Sequence, residues 1–152
     1  MHVTYPGKNM DVDRLLEIDR AYLQMAHVWA QLSRARRRKV GCIVVKDKMI
    51  ISDGYNGTPS GFDNNCEYET RFGLETRNDV LHAESNAIAK LAKSTQSSVG
   101  ADMYLTLSPC IDCAKLIIQA EIKRVVYAEQ YTCMEGVKLL KKACLKVVHI
   151  PL

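Results

Sequence analysis

Leu15, Ile18, Tyr22, Met25, Trp29 and Leu32 recur at steps of three and four, which predicts a helix from about Asp11 to Leu32 with these residues along its inward stripe. Beyond it the period changes: Val40 to Lys46 and Met49 to Asp53 read as two strands joined by a hairpin turn at Lys46-Asp47-Lys48. From Phe62 to Val80 no period holds, so that stretch is expected to be irregular, with room for one short helix. A second helix opens at His82 to Glu84 and runs to about Lys93, with Ala87, Ile88 and Leu91 inward. Polar Ser94 to Gly100 leads into a strand, Met103 to Leu107, and Pro109 suits the first turn of a third helix that carries Ala114, Ile117 and Ile118 inward and stops near Glu121. Arg124 to Ala128 is a strand, about Thr132 to Cys144 a helix, and Leu145 to Ile150 the final strand. A crossover helix between the last two strands makes them parallel. The expected fold is α/β: a three-layer α/β/α sandwich on a five-stranded mixed sheet.

A chain of 152 residues is one domain's worth, and 47% hydrophobic with 25% charged residues excludes a disordered or low-complexity chain. Met1 to Met10 contains Pro6 and Gly7, has no period and is expected to form an arm. No apolar run approaches the roughly 20 residues of a membrane span, and Met1 to Met10 lacks the apolar core of a signal peptide. A cytoplasmic protein with no membrane partner is expected. His27 reads as a helix histidine with a local hydrogen bond. The formal charge of +4 is too modest to indicate a nucleic-acid partner. Its distribution matters more: Arg34, Arg36, Arg37, Arg38 and Lys39 place five cations in six residues just before a strand. That run is either a solvated face or a phosphate contact, for which arginine is suited.

The chemistry lies between Leu81 and Cys113. His82, Cys110 and Cys113 offer one imidazole and two thiols, the donor types zinc takes. Three protein ligands with a fourth position left to water describe a catalytic zinc; a structural site would close with a further Cys or His. Cys110 and Cys113, at i and i+3, face the same way from a first helical turn, where the positive helix end favours thiolates. Glu84 is close enough to move protons without being a ligand. A redox dithiol would leave His82 and Glu84 unexplained. The other cysteines, Cys42, Cys66, Cys133 and Cys144, show no framework spacing and read as reduced thiols, Cys42 as a small buried apolar side chain. Gly54 to Gly61 packs three glycines and a proline into eight residues, a loop that lets backbone approach a ligand, or a plain turn.

The order His82-Ala83-Glu84, then Pro109-Cys110-Ile111-Asp112-Cys113, matches the signature of zinc nucleobase deaminases. With Gly54-Tyr55-Asn56-Gly57-Thr58-Pro59-Ser60-Gly61 and Asn65-Cys66-Glu67 preceding it in order, most of the chain resembles the deoxycytidylate deaminase family of the cytidine deaminase-like superfamily. The zinc signature is common to the superfamily; the glycine loop narrows it. The segment from Cys66 to His82 is short beside members with a second, structural zinc, so one catalytic zinc per chain is expected, and Ile111 stands where a proline is common. The resemblance implies hydrolysis of dCMP to dUMP and ammonia for thymidylate synthesis, with Glu84 carrying protons. It implies that Asn56 contacts sugar or base, the Ala83 amide holds the pyrimidine O2, a carbonyl near Ser108 holds the amino group, and Tyr131 stands near the phosphate with Arg37 and Lys39. It also implies a homo-oligomer, a hexamer, raised by dCTP and lowered by dTTP. The triphosphate, bridged by Mg²⁺, would be read by Tyr55, Gly57, Thr58, Asn65 and Glu67. The alternatives are a deaminase of guanine, cytidine or tRNA adenosine, and a non-catalytic zinc-binding nucleotide sensor, against which the intact Glu84 argues.

Overall fold

The computed structural model describes residues 12–152; the expected arm at Met1 to Met10 and the helix start at Asp11 lie outside the described residues. Helix α1 spans Val12–Ala30, followed by β1 (Gly41–Lys46) and β2 (Met49–Tyr55). Next come a short pair, β3 (Glu67–Thr70) and β4 (Gly73–Thr76), and then α2 (Ala83–Leu91) and β5 (Asp102–Leu107). The chain continues through α3 (Ile111–Gln119), β6 (Arg124–Glu129), α4 (Glu135–Lys142) and β7 (Lys146–His149).

Five strands form one sheet in the order β2-β1-β5-β6-β7. β1 runs antiparallel to both β2 and β5, whereas β5, β6 and β7 are parallel, the arrangement expected from the crossover helices α3 and α4. Central strands are buried on both faces, so they read as nearly unbroken apolar runs. Alternation then sorts their side chains into two cores. Cys42, Val44, Met103, Leu105, Val125 and Tyr127 pack with Ala83, Ile117 and Leu140 of α2, α3 and α4. Ile43, Val45, Tyr104, Val126 and Ala128 face Leu23 and Ala26 of α1. This is the three-layer sandwich on a five-stranded mixed sheet.

Two expectations need correction. α1 buries Asp19, Leu23, Ala26 and Ala30, each one position beyond the predicted stripe, while Leu15, Met25 and Leu32 stay 46%, 42% and 49% exposed. The inward face depends on small residues and one paired carboxylate, which a search for bulky apolar spacing passes over. The stretch predicted irregular holds the β3–β4 hairpin, paired from Glu67↔Thr76 to Thr70↔Gly73. Its strands, EYET and GLET, are polar and largely exposed, so no apolar alternation announces them.

The polarity of β1 decides where function can gather. Because β1 is antiparallel to β5, the segment entering β1 lies at the end of the sheet where β5 leaves, and Gly41 N–H donates to Thr106 Oγ1 across that edge at 3.1 Å. The end of β6 comes to the same edge, with Leu107 paired to Glu129. The basic run, the end of β2, the Pro109–Cys113 turn and Tyr131 therefore share one rim, at the point where the sheet switches from antiparallel to parallel pairing.

On the opposite face, buried Asp19 accepts hydrogen bonds from Tyr104 Oη at 2.7 Å and Arg124 Nη1 at 2.9 Å, and pairs with Arg124 through its second oxygen as well. Burial alone would raise its carboxyl, but these partners win and hold it below the ordinary aspartate value. Asp19→Asn should destabilise the fold by about 3 kcal/mol at pH 7, because Arg124 keeps its buried charge with only Asp102, 3.5 Å away, left as a counter-ion. A depressed carboxyl stabilises above its unfolded pKa, near 4, and loses that contribution as pH falls through the lower folded value. Urea unfolding at pH 7 and pH 3 should therefore show a smaller gap between variant and wild type at pH 3; equal gaps would contradict the assignment.

Candidate metal centre and active site

His82 is the N-cap of α2 and Cys110 the N-cap of α3, both in extended backbone, and neither side chain caps its own helix. Both side chains instead turn toward one point, joined there by Cys113 from the first turn of α3. His82 Nδ1 lies 3.2 Å from Cys113 Sγ and 3.5 Å from Cys110 Sγ, and all three donor atoms fall within 4.8 Å of one another. Tetrahedral zinc with ordinary Zn–S and Zn–N bond lengths separates such donors by about 3.6 Å. The set therefore fits a zinc ion, and it is the group of His, Cys, Asp or Glu among the described residues that could hold a metal.

Two glycines bring these helix ends together. A Cβ at Gly54 would meet Ala83 O at 2.3 Å and Ala87 N at 2.8 Å, so only glycine lets the start of α2 lie against β2. A Cβ at Gly136 would meet Pro109 O at 2.1 Å, so α4 abuts the Pro109–Cys110 turn on the same terms. Gly54 and Tyr55 consequently belong to strand β2 rather than to the predicted loop.

The electrostatics of the cluster follow from its crowding. Hydrogen bonds with Cys113 and His82 bring the Cys110 thiol down to about 4, while Cys113 is pushed well up by its bond to Cys110 and by burial. His82 is raised, chiefly by its hydrogen bond to Cys110. Glu84, in the first turn of α2 and 4% exposed, is raised by burial against the pull of backbone and Cys113 hydrogen bonds. A carboxyl of this kind holds or releases a proton readily.

A cavity of about 410 Å³ opens over the cluster, with His82, Ala83, Glu84 and Cys110 at its base. Asn56, Ser108, Tyr131 and Arg37, all named from the sequence, also line it. The Asn56 carboxamide accepts from Val40 N–H and donates to the Arg38 carbonyl, both at 2.8 Å, which leaves one N–H for a ligand. Ser108 is buried; its hydroxyl accepts the Tyr131 amide at 2.8 Å and so fixes Tyr131 at the rim.

Other named residues fall elsewhere. Lys39 is exposed and is not among the lining residues; Arg38, which the sequence left unassigned, lines the cavity while pairing with Glu129 at 3.2 Å. The Asn56 carboxamide bonds the Arg38 carbonyl and the Val40 amide on either side of Lys39, whose side chain stays outside the cavity. The residues grouped for a triphosphate also separate. Tyr55, Gly57 and Thr58 line a second cavity of about 650 Å³, with Arg34, Lys90 and Lys93. Glu67 lines the first cavity instead, 1% exposed, and Asn65 lines neither, its carbonyl oxygen facing the Arg36 guanidinium at 3.4 Å. Asn56 and Cys66 border both cavities. All six cysteines are free, and Cys42 is fully buried, as read from the sequence.

The family model described as the cytidine and deoxycytidylate deaminase zinc-binding region matches residues 16–129. Deoxycytidylate deaminase of Enterobacteria phage T4 is 34% identical over 85% of this chain and 88% of its own length. The human deoxycytidylate deaminase is 39% identical over 76% of this chain and 66% of its own. Among solved structures, dCMP deaminase from the cyanophage S-TIM5, in complex with dCMP and dUMP, superposes with a TM-score of 0.83 at 44% identity, covering 88% of this chain and 97% of that one.

The purified protein should contain one zinc per chain by elemental analysis. Cys110→Ser should lose the metal and Glu84→Gln should keep it; a Glu84→Gln protein stripped of zinc would make Glu84 a ligand and contradict the assignment.

Proposed function

The chain belongs to the cytidine and deoxycytidylate deaminase zinc-binding family, and on that premise we propose that it hydrolyses dCMP to dUMP and ammonia, supplying dUMP for thymidylate synthesis. The observation that carries this reading is one cavity with two chemical ends: Glu84 beside the His82, Cys110, Cys113 cluster at its base, and Arg37 and Arg38 lining its wall. The first suits an amidine carbon and the second a phosphate. Relatives named deoxycytidylate deaminase support the substrate.

Zinc, held by His82, Cys110 and Cys113, would supply a polarised water at neutral pH. Glu84 takes a proton from the attacking water and passes it to N3 of the cytosine as the oxygen joins C4. It then delivers the second proton to the departing amino group, so that one water is consumed, N3 gains one hydrogen and ammonia leaves with the other. In this reading the Ala83 amide, at the positive end of α2, holds the pyrimidine O2, the carbonyl near Ser108 holds the amino group, and the spare Asn56 N–H contacts sugar or base; all three residues line the cavity, which supports it. Arg37 and Tyr131 form the phosphate end, with Arg38 beside them paired to Glu129.

The reading extends to regulation in a homo-oligomer, a hexamer, in the cytoplasm. The second cavity offers Tyr55, Gly57 and Thr58 beside Arg34, Lys90 and Lys93, a basic lining suited to a triphosphate with Mg²⁺. Asn56 and Cys66, shared by both cavities, couple it to the substrate site. Val28 of α1 is 69% exposed and lies one turn from Met25, 42% exposed, on the outward side of the helix, a surface for self-association. Among the described residues no helix is long and apolar enough to cross a membrane.

Glu84→Gln should lower dCMP turnover by about a thousandfold or more, and Arg37→Ala should lower kcat/KM for dCMP at least about tenfold while affecting deoxycytidine far less. Product analysis across dCMP, deoxycytidine, guanine and tRNA would overturn the substrate assignment if dCMP were not preferred. In dCMP saturation curves dCTP should raise and dTTP lower the rate at subsaturating substrate; a hyperbola unmoved by both would contradict regulation through the second cavity.

A further inference from the structure

Glu67 is the most deeply buried acidic side chain among the described residues outside the metal cluster, and the deamination chemistry does not use it. Its Oε1 accepts two successive backbone amides, Arg36 N–H at 2.8 Å and Arg37 N–H at 3.0 Å. Arg36 Nε stands 3.5 Å from Oε2, and the Arg36 guanidinium also reaches the Glu67 carbonyl at 3.4 Å. One carboxylate thus fixes the backbone of the basic run and neutralises one of its side chains.

The remaining arginines are divided by what surrounds them. Arg36 is occupied by Glu67 and Arg38 by Glu129. Arg37 meets a neutral partner, the Thr76 hydroxyl, at 3.4 Å, and lines the cavity. Thr76 is the cross-strand partner of Glu67, so the β3–β4 hairpin presents the clamp and the rest for the Arg37 side chain from directly paired positions. The far end of the run is gripped by Asn56 on Arg38 O and Val40 N, and its near end by Ser33, whose hydroxyl donates to Asn56 O at 2.7 Å and accepts the Ala35 amide at 3.2 Å. A basic run left to itself would be a mobile, self-repelling strand of charge. Here its backbone is held at five of the six positions from Ala35 to Val40, all but Lys39, before any ligand arrives.

We propose that Glu67 is a positioning residue for substrate phosphate: by clamping the Arg36 and Arg37 amides and occupying the Arg36 side chain, it reserves Arg37 as the cation offered to the phosphate of a nucleoside monophosphate. The inference rests on the reading that Arg37 contacts that phosphate, and preorganisation is its physical content: a guanidinium already aimed loses less freedom on binding than one that must be ordered.

Glu67→Ala, Glu67→Gln, Arg37→Ala and the double variant Glu67→Ala/Arg37→Ala, as zinc-loaded full chains, test it through kcat/KM for dCMP and for deoxycytidine. Arg37→Ala should reduce the dCMP-to-deoxycytidine ratio at least about tenfold. Glu67→Ala should reduce it by a similar factor through KM for dCMP; Glu67→Gln, which keeps an oxygen for the two amides, should retain most of it; the double variant should fall no further than Arg37→Ala alone. Where the alanine variant does not fold, Glu67→Asp, one methylene too short to hold both amides, should show the same loss. A Glu67 variant that slows both substrates equally, or leaves the ratio intact while Arg37→Ala lowers it, overturns the positioning role and leaves the phosphate reading standing. An Arg37→Ala ratio equal to wild type overturns the phosphate reading itself.

Discussion

Two helix N-termini aimed at one point are the constraint on which the rest of the structure depends. α2 and α3 each place a donor at the N-cap, where backbone amides are unsatisfied and the helix end is electropositive, and each withholds that side chain from capping its own helix. The uncapped ends are tolerable because anionic sulfur collects between them, with Cys110 down to about 4. Glu84 is buried beside them by the same geometry, since a residue two positions past the N-cap of α2 cannot leave the interface between α2 and the sheet. The polarity needed for proton transfer and the packing that excludes water come from a single arrangement.

The second organising feature is the reversal of direction between β1 and β5. It delivers a chain segment rich in arginine to the rim where the cysteines emerge, so that one cavity has His82, Cys110 and Glu84 together with Arg37 and Arg38 among its lining residues. The β3–β4 hairpin completes this rim from outside the sheet. A two-stranded hairpin is marginal in isolation; this one is tied to the basic run by Glu67, and Arg77 N–H to the Cys66 carbonyl at 2.8 Å extends its own ladder by one pair. Stability and ligand placement are here the same set of hydrogen bonds.

That His82, Cys110 and Cys113 would come together was legible in the sequence because zinc restricts donor type and helical geometry restricts spacing; the order of strands and crossover helices likewise dictated parallel pairing. What escaped reading was set by contacts distant in the chain. The inward face of α1 is defined by Asp19, whose partner Arg124 lies on β6, and by alanines too small to register in an apolar stripe. Arg38 lines the cavity and Lys39 does not, in a segment whose backbone is gripped by Asn56, a partner distant in the chain. Glu67, expected among the residues reading a regulatory triphosphate, is instead buried against the Arg36 and Arg37 amides, a contact some thirty residues distant in the chain. Ser33, equally inconspicuous, would have required knowing that Asn56 passes beside it.

The central claim is that three protein donors and no more hold the metal, leaving a position for the reacting water. X-ray absorption at the zinc edge of the loaded enzyme tests it directly. The account predicts two sulfur donors and one imidazole from the protein, with the remaining light-atom donor exchangeable for a small-molecule ligand. A shell of four protein donors, or one lacking both sulfurs, would contradict it.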